Sequence, residues 1–470
     1  MTFASTARRL LAAIVLAFGL GLLLLSLTRG DGLPGAASAV VAPERAATGT
    51  AAEISRLQAA ARRAPAATGP RVQLAAAYLQ RVRETGDPSL YGRAESLLRG
   101  VIAREPRNAA ATVELAGLAL SRHDFRRGLT LARRAVALEP GSTAALPFMV
   151  DAFVELGRYD QAERVLQRLA DRTPTLSVYA RVSYLRELRG DLPGAASALA
   201  LASAAGGPAP ENAAAIEALR GDLALVRGRP ASARRAFAMA VALAPGYAPA
   251  EAGRARLAAY RGDLRGAVAR WRKVVARLPL PEYAIALGEA EWALGKRVAR
   301  GGSERASAAR GGLDRSAGLL RAAREDLALV RAEQQLLGRA GVNTDAELAI
   351  FEADHGDRAR GLRLARRAWA VAPGVRSADA LGWALTRAGQ AREGVKWARR
   401  ARRLGSADPL FAYHAGVAAL ATGDRRGARR LLRSAITHGL ATRPWHAQMA
   451  RRLLRSADGA QPRRLPGSGR

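Results

Sequence analysis

Thr143 to Pro174 reads TAALPFMVDAFVELGRYDQAERVLQRLADRTP, and the order of small and large residues in it decides the fold. Counted so that Pro174 is position 32, the stretch places Phe153 at 11, Gly157 at 15, Tyr159 at 17, Ala162 at 20 and Leu166 at 24. Gly157 is suited to end a first helix in the left-handed backbone conformation, which costs other residues more. Ala162 lets a second helix approach the first, Leu166 fills the space between units, and Pro174 closes the second helix.

The proline recurs. Pro106, Pro140, Pro174 and Pro208 are 34 residues apart, Pro208 to Pro245 is 37, and Pro245 to Pro279 is 34 again. Pro373 follows 94 residues later, which is two such periods plus 26 residues, so an insertion is expected between them. Other units keep phase: Gly221, Gly228, Ala233, Phe237 and Ala240 in one, Gly262, Ala267 and Trp271 in the next. Leu381, Gly382, Gly389 and Gly394, then Ala415, Gly416, Gly423 and Ala428, continue the phase without the proline. A period of 34 with this pattern resembles the tetratricopeptide (TPR) repeat, a helix-turn-helix unit. The resemblance implies an all-α TPR solenoid, a right-handed superhelix with first helices on its concave wall and second helices outside.

The same frame explains RGDL, written at Arg189–Leu192, Arg220–Leu223 and Arg261–Leu264. The first and third copies fall on turns between paired helices, whereas Gly221 is a packing glycine inside a helix. An adhesive tripeptide is not needed to account for them.

Before the repeats, Arg8 and Arg9 precede an uncharged stretch from Leu10 to Thr28. It reads as a signal anchor or signal peptide over 1–28, with an uncleaved single-pass anchor and extracytoplasmic repeats favoured. Secretion after cleavage near Ala39 is the alternative. Residues 29–51 read as a flexible linker, 52–457 as the solenoid and 458–470 as a disordered tail. The stretch RVARGGSERASAARGG, 297–312, reads as a mobile basic loop inserted in the solenoid, followed by a long helix from about Leu313 to Leu337. LVRAEQQLLGRAGVNTDAELAIFEADHGD resembles a family of exported TPR proteins of high-GC bacteria, which implies architecture and no activity.

With 74 basic and 40 acidic residues the net charge is +34, and only Lys273, Lys296 and Lys396 are lysines. In the repeat frame Arg363, Arg366, Arg367, Arg399, Arg400, Arg429 and Arg430 fall on second helices, hence on the convex wall. They keep an alanine-rich solenoid soluble, or draw it to a polyanion such as an anionic lipid or cell-wall phosphate; export makes nucleic acid the least suitable partner. Cysteine is absent, which excludes disulfides and thiolate chemistry. His123, His355, His414, His438 and His446 show no metal-ligand spacing, and no phosphate loop, nucleophile elbow or dinucleotide fingerprint occurs. No cofactor, metal or catalytic residue is expected, and the histidines read as surface or packing residues. The expected function is non-catalytic scaffolding of an unidentified protein or peptide. Arg256, Tyr260, Asp379, Trp383, Arg387 and Tyr413 stand out as groove candidates, because aromatic and arginine side chains anchor binding surfaces.

Overall fold

The computed structural model describes residues 49–206, 210–302 and 309–458. The apolar segment 1–28, most of the 29–51 linker and the tail beyond Asp458 lie outside the described residues. Among the described residues there are twenty-two α-helices, one 3-10 turn and no strand. Helix α1 (Thr50–Arg63) precedes ten helix pairs. The first five are α2 (Gly69–Thr85) with α3 (Ser89–Arg104), α4 (Ala109–Ser121) with α5 (Phe125–Leu138), α6 (Leu146–Glu155) with α7 (Tyr159–Arg172), α8 (Leu176–Leu188) with α9 (Leu192–Ala205), and α10 (Pro210–Val226) with α11 (Pro230–Leu243). The next five are α12 (Ala248–Tyr260) with α13 (Leu264–Arg277), α14 (Pro281–Gly302) with α15 (Ala309–Arg339), α16 (Asp345–His355) with α17 (Arg358–Val371), α18 (Val375–Arg387) with α19 (Ala391–Ala401), and α20 (Pro409–Ala421) with α21 (Arg425–Thr437). A 3-10 turn at Leu440–Thr442 and α22 (Pro444–Asp458) close the array.

Local chemistry sets each pair. In the RGDL of Arg261–Leu264, Gly262 takes φ +81° between α12 and α13, and the Asp263 side chain caps α13 by accepting a 2.8 Å hydrogen bond from the Gly266 amide. Asp191 caps α9 in the same way, while the middle copy lies inside α10. Inner and outer helices differ in pattern, as layers of a solenoid must. The α7 helix buries only Tyr159, Ala162, Val165, Leu166 and Leu169 and turns its arginines outward, whereas α4 is buried from Leu115 through Ser121.

At the two ends of the expected loop over 297–312, residues 297–302 and 309–312 are helical. The α14 helix runs on to Gly302 and α15 begins at Ala309, leaving 303–308 outside the described residues. Alanine and arginine are good helix formers, and the glycines among them did not outweigh that propensity. The insertion therefore lengthens one pair. Where α14 and α15 cross, a Cβ on Gly288 would lie 2.9 Å from Leu327 Cγ, so the glycine permits the contact.

The superhelix also returns on itself. The Asn343 amide donates to the Arg122 carbonyl at 3.0 Å, the Val375 amide donates to the Tyr159 hydroxyl at 2.9 Å, and Arg376 Nε donates to the Tyr184 hydroxyl at 2.9 Å. Arg126 donates to the Ala370 and Val371 carbonyls, and Arg403 to that of Gly157. Turns inside early pairs thus rest on turns between pairs a little over six repeats later. Val375 and Phe411 accordingly share one buried core with Tyr159 and Tyr184.

Candidate functional site

The six groove candidates separate into two groups. Arg256 and Tyr260 lie on α12, where Arg256 makes a two-pronged ion pair with Asp222 of α10 at 2.7 and 2.9 Å. Trp383, Arg387 and Tyr413 lie together near the C-terminal end of the array, on a pocket of about 420 Å³. Trp292, Asp354 and Trp445 complete its aromatic and acidic lining, and Lys296, Arg300, Arg358 and Arg452 surround it with positive charge. Asp379 is not on this wall; it is buried behind it.

Five helices and the closing α22 bring these side chains together. Trp383 is 1% exposed, donates from Nε1 to Asp354 Oδ1 at 3.0 Å, and carries the Arg387 guanidinium over its ring at 5.4 Å. Arg387 also donates to the Ala353 carbonyl at 3.0 Å, so its charge is held over the indole. Trp445 meets Trp292 edge-on at 6.3 Å, and Lys296 Nζ sits 5.5 Å from the Trp292 ring centre. Aromatic walls with fixed cations suit an apolar side chain flanked by negative charge.

Three of the histidines expected at the surface or in packing contacts pack against the aromatic lining of this pocket, among carboxylates. His414 Nδ1 lies 2.8 Å from Asp379 Oδ2, and its ring stacks on Trp383 at 4.2 Å. His355 Nε2 lies 3.1 Å from Glu289 Oε1. His446 lies 3.4 Å from Glu289 through Nδ1 and 3.4 Å from Asp354 through Nε2. Burial opposes the His446 imidazolium, yet the Glu289 charge and the neighbouring Asp354 carboxylate outweigh it and hold the pKa up to about 9. Burial likewise opposes ionisation of Asp354, and His446 overcomes it, keeping that carboxyl below its ordinary range. One donor atom from each of Asp354, His414 and His446 lies within 4.8 Å of the others, as do donors from Glu289, Asp354 and His355.

Glu155, Glu187, Glu282, Glu333 and Glu347 are half-buried. Burial pushes Glu187 up to about 7 and Glu333 and Glu347 up to about 8. Outside, Arg363, Arg366, Arg367, Arg399, Arg400 and Arg430 are exposed and Arg429 is half-buried. Arg367 pairs with Asp345 at 2.7 Å, and Arg400 covers Trp369 at 4.5 Å.

These features define an all-helical, TPR-like solenoid with a pocket near its C-terminal end. A tetratricopeptide repeat family model matches residues 119–186. Among solved structures the chain is similar to the APC/C hetero-tetramer Cut9–Hcn1, at 14% identity and TM-score 0.33, over 87% of this chain and 93% of that one. It is similar to Pseudomonas aeruginosa pilF at 17% identity and TM-score 0.33, over 48% of this chain and 94% of that one. It also resembles a tetratricopeptide repeat protein from Parabacteroides merdae at 15% identity and TM-score 0.31, covering 63% and 99% respectively. No curated protein matches the chain.

Proposed function

We propose that the chain is a non-catalytic extracytoplasmic scaffold that grips a protein or peptide segment in the C-terminal pocket. The supporting observation is the convergence of Trp292, Trp383, Tyr413 and Trp445 with Lys296 and Arg387 on one concavity. A segment bearing an apolar side chain next to a carboxylate satisfies both kinds of wall. The placement outside the cytoplasm rests on the apolar stretch from Leu10 to Thr28, which lies outside the described residues; among those described, no helix is long and apolar enough to cross a membrane.

A second reading follows from the exposed second-helix arginines: adsorption to an anionic lipid or cell-wall phosphate through Arg363, Arg366, Arg399, Arg400 and Arg430. Salt separates the two. Capture of envelope material by residues 52–457, washed at two salt concentrations, should survive high salt if the pocket is responsible. Capture that collapses at high salt and is lost on charge reversal of Arg399 and Arg400 would favour the outer face.

A further inference from the structure

Beneath the pocket, Asp354, His414 and His446 are each no more than 2% exposed at the side chain. Burial this complete normally goes with satisfied hydrogen bonds. His414 Nε2, His446 Nδ1 and Asp379 Oδ1 nevertheless have no hydrogen-bond partner. The two His446 contacts, at 3.4 Å each, are longer than the roughly 2.7–2.9 Å of a charge-assisted hydrogen bond. The cluster is therefore closed in space but slack in its bonding.

We propose that Asp354, His414 and His446 bind one divalent transition-metal ion of the zinc type at the floor of the pocket. Two imidazoles and a carboxylate are a donor set that such ions accept, in a chain with no thiolate to offer. The surroundings orient the donors as metal sites require. Asp379 engages His414 Nδ1, leaving Nε2 as the nitrogen with a free lone pair, and Trp383 Nε1 holds Asp354 Oδ1, leaving Oδ2. Carboxylates behind metal-bound histidines play this positioning part generally. Tetrahedral bonds of about 2.0–2.2 Å place ligand atoms roughly 3.4 Å apart, so donors now within 4.8 Å must close by little more than an ångström. Three protein ligands leave a zinc-type ion one position short of four. Asp354 also lines the pocket, so that position lies beside the place where a partner's side chain enters. The inference does not depend on the scaffold reading, since a structural ion here would serve any function of the pocket.

The test is titration of the full, untagged, chelator-treated chain with Zn2+ by calorimetry, with Co2+ absorption as a second readout of coordination. The expected result is one ion per chain with Kd below about 1 μM and a tetrahedral Co2+ spectrum. His414→Ala and Asp354→Asn should each weaken binding by at least about 100-fold, and Asp379→Asn by about 10- to 100-fold through loss of ligand orientation. His355→Ala should bind within a few-fold of the original. Far-UV circular dichroism identifies any variant that has lost its fold, in which case the Co2+ spectrum of Asp379→Asn carries the test. Absence of stoichiometric binding below 100 μM would overturn the proposal. Equal binding by His414→Ala, or loss only in His355→Ala, would place any ion elsewhere and overturn it as well.

Discussion

Gly221→Ala tests the repeat packing at its tightest point. Phe237 of α11 is 0% exposed and lies against two glycines, Gly221 of α10 and Gly253 of α12. A Cβ at 221 would stand 2.4 Å from Phe237 Cε1, and one at 253 would stand 2.1 Å from the same atom. Neither approach is tolerable, so the ring must move and α10 must separate from α11. Overpacking of this kind costs about 1–3 kcal/mol. Against it, alanine gains about 0.5–1 kcal/mol over glycine inside a helix. The expected net effect is a destabilisation of about 1–2 kcal/mol. Removing the ring changes the sign. Phe237→Ala should itself cost about 3–5 kcal/mol, and Gly221→Ala made in that background should stabilise by about 0.5–1 kcal/mol. Urea unfolding of the four proteins, followed by far-UV circular dichroism, reads the result as a midpoint that falls in one background and rises in the other. The same downward shift in both would refute the claim that position 221 is glycine because of Phe237.

Gly262 has open space around its missing Cβ, so Gly262→Val should lose about 1–3 kcal/mol from backbone strain alone, read as a lower melting temperature. Asp263→Ala removes only the cap to Gly266 and should cost about 1 kcal/mol, with no effect on cell adhesion. Tyr159→Phe strips the acceptor from the Val375 amide, which links adjacent turns of the superhelix; about 1–3 kcal/mol and faster hydrogen exchange at Val375 are expected. Burial among Glu155 and Asp345 raises Glu347 from an ordinary 4.5 to about 8, against the pull of Arg376. In that window the folded chain keeps a proton that the unfolded chain has released, so stability should fall as pH rises from 5 to 8. Glu347→Gln should flatten that fall in melting temperature, and an unchanged slope would count against the assignment.

Local features were legible in the sequence and long-range ones were not. Gly262 with Asp263, and the small residues facing Phe237, act within one or two helices, and the 34-residue phase repeats their signal. The contact of Tyr159 with Val375 spans 216 residues and follows from the pitch of the superhelix, which no spacing records. Of the loop expected over 297–312, residues 297–302 and 309–312 are helical, in keeping with the helix propensity of alanine and arginine, and 303–308 lie outside the described residues. Trp383, Arg387 and Tyr413, which residue type singles out, line one pocket. Asp379 proved to be a buried partner of His414, one repeat away at a separation of 35, and that near-repeat spacing was the available clue. Nothing comparable joins His446 to Asp354 across 92 residues, because α22 packs on the array outside the repeat frame.

The scaffold reading is tested most directly by photo-crosslinking in cells. A benzophenone amino acid placed at Lys296 or Arg452, exposed positions on the pocket rim, should trap one discrete partner, while the same probe at Arg399 or Arg430 on the outer wall should not. Adducts at the outer wall with none at the rim would contradict the account.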